Sequence, residues 1–184
     1  MNKVLIPLAP GCEELEAVTV IDILRRAGIE VITAGLSAGP VCASRDTVLL
    51  PDTTLDEALH RDYDMMVLPG GMPGSELLKN DARVIGLLKK MAAAGKYVAA
   101  ICAAPMALHA AGVLSGKRAT SYPGVLDRLP GTHTYSTDAV VIDGKVVTSR
   151  GPGTAMDFAL ALVELLEGRA RRDEIEAQLQ RPGP

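Results

Sequence analysis

The 184-residue chain contains no tryptophan, and aromatic residues make up only 3% of it. That leaves too few flat rings for the stacking platforms that single-stranded nucleic acids require. Positive charge is also in short supply, since 19 Lys and Arg stand against 22 Asp and Glu for a net charge of −3. No nucleic acid and no anionic membrane is therefore expected as a partner. Cysteine is sparse and odd in number: Cys12, Cys42 and Cys102 form no CxxC pair and no disulfide framework. Thiols in that pattern suit a reducing compartment. The three histidines have no metal-ligand spacing, so no metal site is expected. Gly70-Gly71 has neither a Walker lysine nor a GxGxxG pattern, which argues against a nucleotide. No cofactor is expected. Long apolar runs are missing too: the run at Val4-Leu5-Ile6 is far too short for a signal peptide or a membrane span. A cytoplasmic protein is the expectation.

What is present is ordinary core material, with 48% hydrophobic and 22% charged residues. The length suits one domain, residues 1–184, with Arg181 to Pro184 as a frayed tail. Val4 to Leu8 reads as a buried strand closed by Pro7 and Pro10. A turn at Gly11-Cys12-Glu13-Glu14 leads into a helix from Leu15 to Ala27, with Val18, Ile21 and Leu24 at helical spacing. Further strands are expected at Glu30 to Leu36 and Asp64 to Pro69. Val41 to Leu50 reads as a pair of short strands or a hairpin, and Leu55 to His60 as a short helix. Ala82 to Ala94 is an amphipathic helix closed by Gly95. A short strand and loop are expected at Arg118 to Pro123. Val140 to Val147 is a β-hairpin with Asp143-Gly144 at its turn. A helix from Ala155 to about Leu166 and a charged helical segment from Arg171 to Gln180 end the pattern. Strands alternating with helices predict an α/β fold, a three-layer sandwich with a mostly parallel sheet and one small β-hairpin.

The stretch Tyr97-Val98-Ala99-Ala100-Ile101-Cys102-Ala103-Ala104-Pro105 is the focus of the chain. A buried strand turns at Cys102 into a helix from Ala103 to His109. A cysteine at such a turn sits at the carboxyl edge of the sheet and at a helix N-terminus, and both placements favour the thiolate. Its small neighbours suit a sharp elbow, with cysteine in the nucleophile's place. The carboxyl-edge rule for parallel sheets brings Cys12, Glu16, Gly70 and Gly71 to the same edge. A carboxyl group from the first helix can poise the thiol or carry its proton. A glutamate at a helix start ordinarily stays in solvent, and Glu16 alone would be read that way. Backbone N–H groups of Gly70, Gly71 and Ala103 are candidate oxyanion donors. Helix rise puts His109 about 10 Å from Cys102, too far for a direct pair. His60 and His133 carry no signal.

Taken in order, several motifs resemble the ThiJ/PfpI superfamily, in the branch of the parkinsonism-associated protein deglycase and its bacterial relatives. They are Ala9-Pro10-Gly11-Cys12-Glu13-Glu14-Leu15-Glu16-Ala17, Val67-Leu68-Pro69-Gly70-Gly71, the Cys102 stretch, and Thr148-Ser149-Arg150-Gly151-Pro152-Gly153-Thr154. Arg25-Arg26-Ala27-Gly28 and Ser44-Arg45-Asp46 match as well, and the resemblance covers about residues 3 to 168. It implies a flavodoxin-like sandwich and a homodimer, with Arg25-Arg26 and Ser44-Arg45-Asp46 where relatives build the interface. Cys102 takes the place of the family's reactive cysteine, and Glu16 that of its protonated partner glutamate. The implied pocket includes Tyr122 and Pro152. The implied activity is that of a glyoxalase or deglycase on a small aldehyde, methylglyoxal or its adducts, through a hemithioacetal at Cys102. The alternative is a redox-responsive stress protein whose Cys102 is oxidised to a sulfinate. Two departures stand out. Tyr122 occupies the place of a histidine found in some relatives, and a tyrosine is a poor base near neutral pH. Ala103 replaces the histidine of the protease-like branch, which weakens a peptidase reading. Cys12 reads either as a small residue filling a tight turn or as a modulator of Cys102, by disulfide formation or by narrowing the pocket entrance.

Overall fold

The computed structural model describes residues 1–181. The central sheet has seven strands in the order β10-β11-β7-β6-β1-β2-β5. These are β1 (Lys3–Leu8), β2 (Glu30–Gly35), β5 (Thr53–Thr54), β6 (Met65–Leu68), β7 (Tyr97–Ile101), β10 (Val140–Asp143) and β11 (Val146–Ser149). All neighbours run parallel except the β10–β11 hairpin. The small strands β3 (Val41–Cys42) and β4 (Val48–Leu49) form the expected antiparallel pair. A second pair, β8 (Arg118–Ala119) with β9 (Thr134–Tyr135), is parallel.

Period-two alternation along β1 shows why the chain makes three layers. Val4, Ile6 and Leu8 enter one core with α1 (Glu14–Arg26) and α6 (Ala155–Glu167), while Leu5 enters the other. That second core is closed by α2 (Leu55–Ala58), α3 (Gly74–Asn80), α4 (Ala82–Ala93) and α5 (Pro105–Ala110). Phe158 of α6 is fully buried in the first core. The α/β sandwich is thus as expected.

Several details differ from the expectations. β1 starts at Lys3, one residue before the expected start, and runs through Pro7 to Leu8 as expected. Its pairing with β6 ends at Leu5, so the missing N–H falls beyond that ladder. Helix α3 carries no sequence signal, because Pro73 at its N-cap makes no side-chain cap and Gly74 opens it. In the β10–β11 hairpin Asp143 still pairs with Val146, so the two-residue turn is Gly144-Lys145. The charged segment forms α7 (Arg169–Gln178), whose Arg171 donates to the carbonyls of Arg26 and Ala27 at the end of α1. Arg181 is not frayed: its guanidinium pairs with Asp157 at 2.7 Å and Glu176 at 3.3 Å. The rest of the expected tail, 182–184, lies outside the described residues. No helix among the described residues is long and apolar enough to cross a membrane.

Candidate active site at the carboxyl edge of the sheet

Cys102 follows β7 directly and has a left-handed backbone, φ +63°. Non-glycine residues seldom adopt this conformation, and a sharp strand-to-helix elbow is one place that demands it. Two backbone hydrogen bonds fix the elbow. The Cys102 N–H donates to the Ser149 carbonyl of β11 at 3.0 Å, and the Tyr122 N–H donates to the Cys102 carbonyl at 2.8 Å. Cys102 is 8% exposed, so its thiol retains one open face.

Glu16 arrives from the first turn of α1. That turn is capped by Glu13, whose carboxylate accepts from the Glu16 N–H at 2.8 Å. The Glu16 side chain is fully buried, with 0% exposure. One oxygen, Oε2, accepts from the Gly70 N–H at 2.8 Å. The other, Oε1, has no conventional hydrogen-bond partner among the described residues. The Cys102 side chain lies near enough to the Glu16 carboxyl that each group shifts the other's titration.

Gly70 is what permits this approach. A Cβ there would lie 2.5 Å from Cys102 Cβ and 2.6 Å from Glu16 Oε2, so any larger residue would drive the two apart. Its N–H is committed to Glu16, which removes Gly70 from the expected oxyanion donors. The N–H groups that face the thiol are those of Gly71 and Ala103.

Burial raises the Glu16 carboxyl to about 7, against an opposing hydrogen bond from Gly70. The Cys102 thiol is also pushed up, to about 12, first by burial and then by the charge of Glu16. An isolated acidic thiol, as expected from the helix N-terminus, is therefore not what the fold builds. Helix α5 begins only at Pro105 and has six residues, which leaves it little dipole to offer. The two groups instead form a coupled pair.

A cavity of about 790 Å³ opens over the thiol. Its wall includes Gly71, Ala103, Tyr122 and Pro152, as expected. Tyr122 is half exposed, and its ring packs against Gly151. Glu16 lies beneath the cavity, behind the thiol. Cys12 does not face the cavity. It is fully buried, its own thiol is pushed up to about 11 by burial, and the Gly71-Gly74 loop lies on its backbone. It occupies the small slot in the tight turn and narrows no entrance. Sequence reasoning missed Glu13, Met72, Met106, Val125 and Arg128, and it set aside His109, all of which line the cavity. Helical spacing from Pro105 onward carried a signal for Met106 and His109. The 3₁₀ turn at Leu126–Arg128 carried none for Arg128. No cluster of three metal-ligating side chains exists among the described residues.

A strained cysteine backed by a buried carboxyl, on a parallel α/β sheet, marks the class of proteins with a nucleophile elbow. Within that class the chain belongs to the DJ-1/PfpI family, whose family model matches residues 2–165. It is 46% identical over 176 residues to protein dj-1beta of Drosophila melanogaster, covering 95% of this chain and 94% of the relative. The crystal structure of Drosophila melanogaster DJ-1beta superposes with a TM-score of 0.95 at 44% identity, over 99% of both chains. A structure described as Toxoplasma gondii DJ-1, oxidized, gives 0.95 at 39% identity over the whole of both chains. A Caenorhabditis elegans relative named glutathione-independent glyoxalase DJR-1.2 is 39% identical over 95% of this chain and 94% of its own length.

Proposed function

We propose that this protein is a glyoxalase or deglycase that acts on methylglyoxal and related 2-oxoaldehydes, or on their adducts, without a cofactor. Cys102 is the nucleophile and Glu16 the proton carrier. The observation that carries this reading is the fully buried Glu16 carboxyl beside the Cys102 side chain, with its Oε1 left unpartnered among the described residues. A carboxyl raised to about 7 gains and loses a proton readily at neutral pH. The glyoxalase name of the Caenorhabditis elegans relative supports the same activity.

The pair shares one proton. When it resides on Glu16, the negative charge is on sulfur, faced by the N–H groups of Gly71 and Ala103. The sulfur attacks the aldehyde carbon C1, and the new oxyanion takes the proton from Glu16 to give a hemithioacetal. The Glu16 carboxylate then removes the hydrogen from C1, leaving an enediolate. It returns that proton to C2, while the C1 hydroxyl proton moves to the C2 oxygen. C1 is thereby oxidised and C2 reduced with no external redox partner, and the product is a lactoyl thioester. Water cleaves the thioester, releasing lactate and restoring the thiol. Tyr122, at the cavity wall, donates a hydrogen bond to the substrate carbonyl. Ala103 offers no base for peptide hydrolysis.

The test is lactate formation from methylglyoxal in the absence of glutathione. Wild-type protein should turn over, Cys102→Ser should not, and Glu16→Gln should lose most of its turnover while Cys102 stays alkylatable. Lactate formation by Cys102→Ser would refute the reading. A second reading is a redox-responsive protein, favoured by the relative solved in an oxidised state. It predicts that peroxide adds two oxygens to Cys102 and that the wild type makes no lactate.

We also propose a homodimer. Arg25 and Arg26, expected at the interface, are engaged within the chain by Asp52 and Asp22. Leu15 and Val18 of α1, with Val48 and Leu50, are exposed apolar side chains that such an interface would cover. Glu14 links these two regions by accepting from Ser44 Oγ and from the Arg45 N–H.

A further inference from the structure

The cavity above Cys102 is large for a three-carbon aldehyde, since its 790 Å³ falls within the range of drug-sized ligands. Its charged lining is asymmetric. The Lys79 and Glu76 side chains neutralise each other at 2.7 Å. The Glu13 carboxylate is engaged at the N-cap of α1. Arg45 donates to its neighbouring Ser44 carbonyl. Arg128 makes no ion pair and no side-chain hydrogen bond among the described residues. An uncompensated guanidinium on a cavity wall is a ready partner for an anion.

Arg128 is also held in register with the thiol. The segment that carries it starts at Tyr122, whose N–H donates to the carbonyl of Cys102 itself. Within the segment, the Asp127 carboxylate accepts from the Gly124 N–H at 2.7 Å, and Ser121 Oγ accepts from the Leu126 N–H at 3.0 Å. The Arg128 guanidinium folds back over Gly124, where an added Cβ would meet its Cζ at 3.6 Å. Two histidines clamp the far end. His109 Nε2 donates to the Pro130 carbonyl at 2.7 Å, and His133 Nε2 donates to the Leu126 carbonyl at 3.0 Å. A carbonyl can only accept, so Nε2 of each ring carries a hydrogen and donates it. The rings meet edge to face at 5.5 Å, and Gly131 passes between them, where a Cβ would lie 3.1 Å from one and 3.2 Å from the other.

From this arrangement we infer that Arg128 selects carbonyl substrates bearing an anionic group, and that His109 and His133 are the positioning residues that hold it over the cavity. The substrate class is a 2-oxoaldehyde with a carboxylate or phosphate tail: the aldehyde meets Cys102 and the tail meets Arg128. This rests on the glyoxalase reading for the chemistry, but not for the anion preference.

Two measurements separate the two claims. The first needs no turnover. Cys102 is alkylated by iodoacetate, an anion, and by iodoacetamide, its neutral counterpart, and each modified peptide is quantified by mass spectrometry. Arg128→Gln should lower the iodoacetate-to-iodoacetamide rate ratio at Cys102 about fivefold. The ratio at exposed Cys42 serves as the reference within the same chain. An unchanged ratio at Cys102 overturns the inference, whether or not the protein is a glyoxalase. The second compares 4,5-dioxopentanoate with methylglyoxal. Both carry the same aldehyde and ketone, and addition of water across them gives 2-hydroxyglutarate and lactate. Arg128→Gln should lower the ratio of their kcat/KM values about tenfold. Equal losses for the two substrates overturn the inference. Wild-type protein inert to both refutes the glyoxalase reading and leaves the alkylation result to decide this one. His109→Ala should reproduce the selectivity loss, and His109→Gln, which keeps an N–H donor for Pro130, should restore it. A selectivity loss identical in the two His109 variants overturns the positioning role.

Discussion

Replacing Glu16 by glutamine should stabilise the fold, and by an amount that grows with pH. Glu16 is fully buried, and its carboxyl is raised from an ordinary 4.5 to about 7, chiefly by burial. A group whose pKa is higher in the folded state binds its proton more tightly there. Its contribution is therefore most favourable below pH 4.5, where it is protonated folded or unfolded. It is lost as pH rises toward 7, because the unfolded chain ionises first. At about 1.4 kcal/mol per unit, the full difference is about 3 kcal/mol. Glutamine has the same shape, accepts the Gly70 N–H through its own Oε1 and never ionises. Denaturant unfolding of both proteins at pH 5, 6, 7 and 8 measures the gap, since every titrating group other than the Cys102 thiol coupled to Glu16 behaves alike in the two. The gap should widen in favour of Glu16→Gln by about 3 kcal/mol, or roughly 10 °C in Tm for a chain of this size. A gap that is the same at every pH would mean that Glu16 ionises as freely in the folded chain as in the unfolded one. The proton-carrier role would fall with that result.

The coupled pair makes a second expectation: alkylation of Cys102 should rise through an inflection near pH 7 in the wild type, and that inflection should vanish in Glu16→Gln. A single inflection near 9 in both proteins would show that the thiol titrates independently. Gly70→Ala should abolish turnover with little change in the secondary-structure content, because its Cβ would wedge between Glu16 and Cys102. Wild-type turnover in that variant would contradict the packing argument. After one equivalent of peroxide, mass spectrometry should find oxygen on Cys102 and a free thiol at Cys12, since the Gly70-Gly71 backbone lies against both and Cys12 is fully buried. A linked Cys12–Cys102 peptide would contradict this. Sedimentation should report about twice the 19.3 kDa chain mass, and Leu15→Asp with Val18→Asp should reduce it to one chain. A monomeric wild type at micromolar concentration would refute the dimer.

The core strands were legible because each is a short apolar run followed by a turn or a helix. Val4 to Leu8 and Tyr97 to Ile101 are examples, and their alternation with helices implied the parallel sheet. Cys102 was legible as an elbow because small residues flank it. Other features depended on long-range geometry. Glu16 looks like any helix-start carboxylate until the Gly70 loop, 54 residues later, closes over it. The same closure takes the Gly70 N–H away from the cavity, which no local pattern announces. His109 was set aside on backbone distance, yet side chains on a helix lean toward its N-terminus, and the cavity reaches down that face. Arg128 sits on a single 3₁₀ turn, too short for any periodicity, and only the two histidine clamps reveal why it is there.

The left-handed backbone at Cys102 has an implication for how this protein can be altered. Holding a residue with a Cβ at φ +63° costs about 1–2 kcal/mol relative to glycine. Glycine at 102 would relax the elbow and remove the thiol in the same step, and glutamine at 16 would add the gain already estimated. Selection for heat resistance alone therefore runs directly against the reactive pair. A mutant library screened only by thermal challenge should accumulate substitutions at 102 and 16 before it touches the sheet. The survivors would be tougher proteins with nothing left to react.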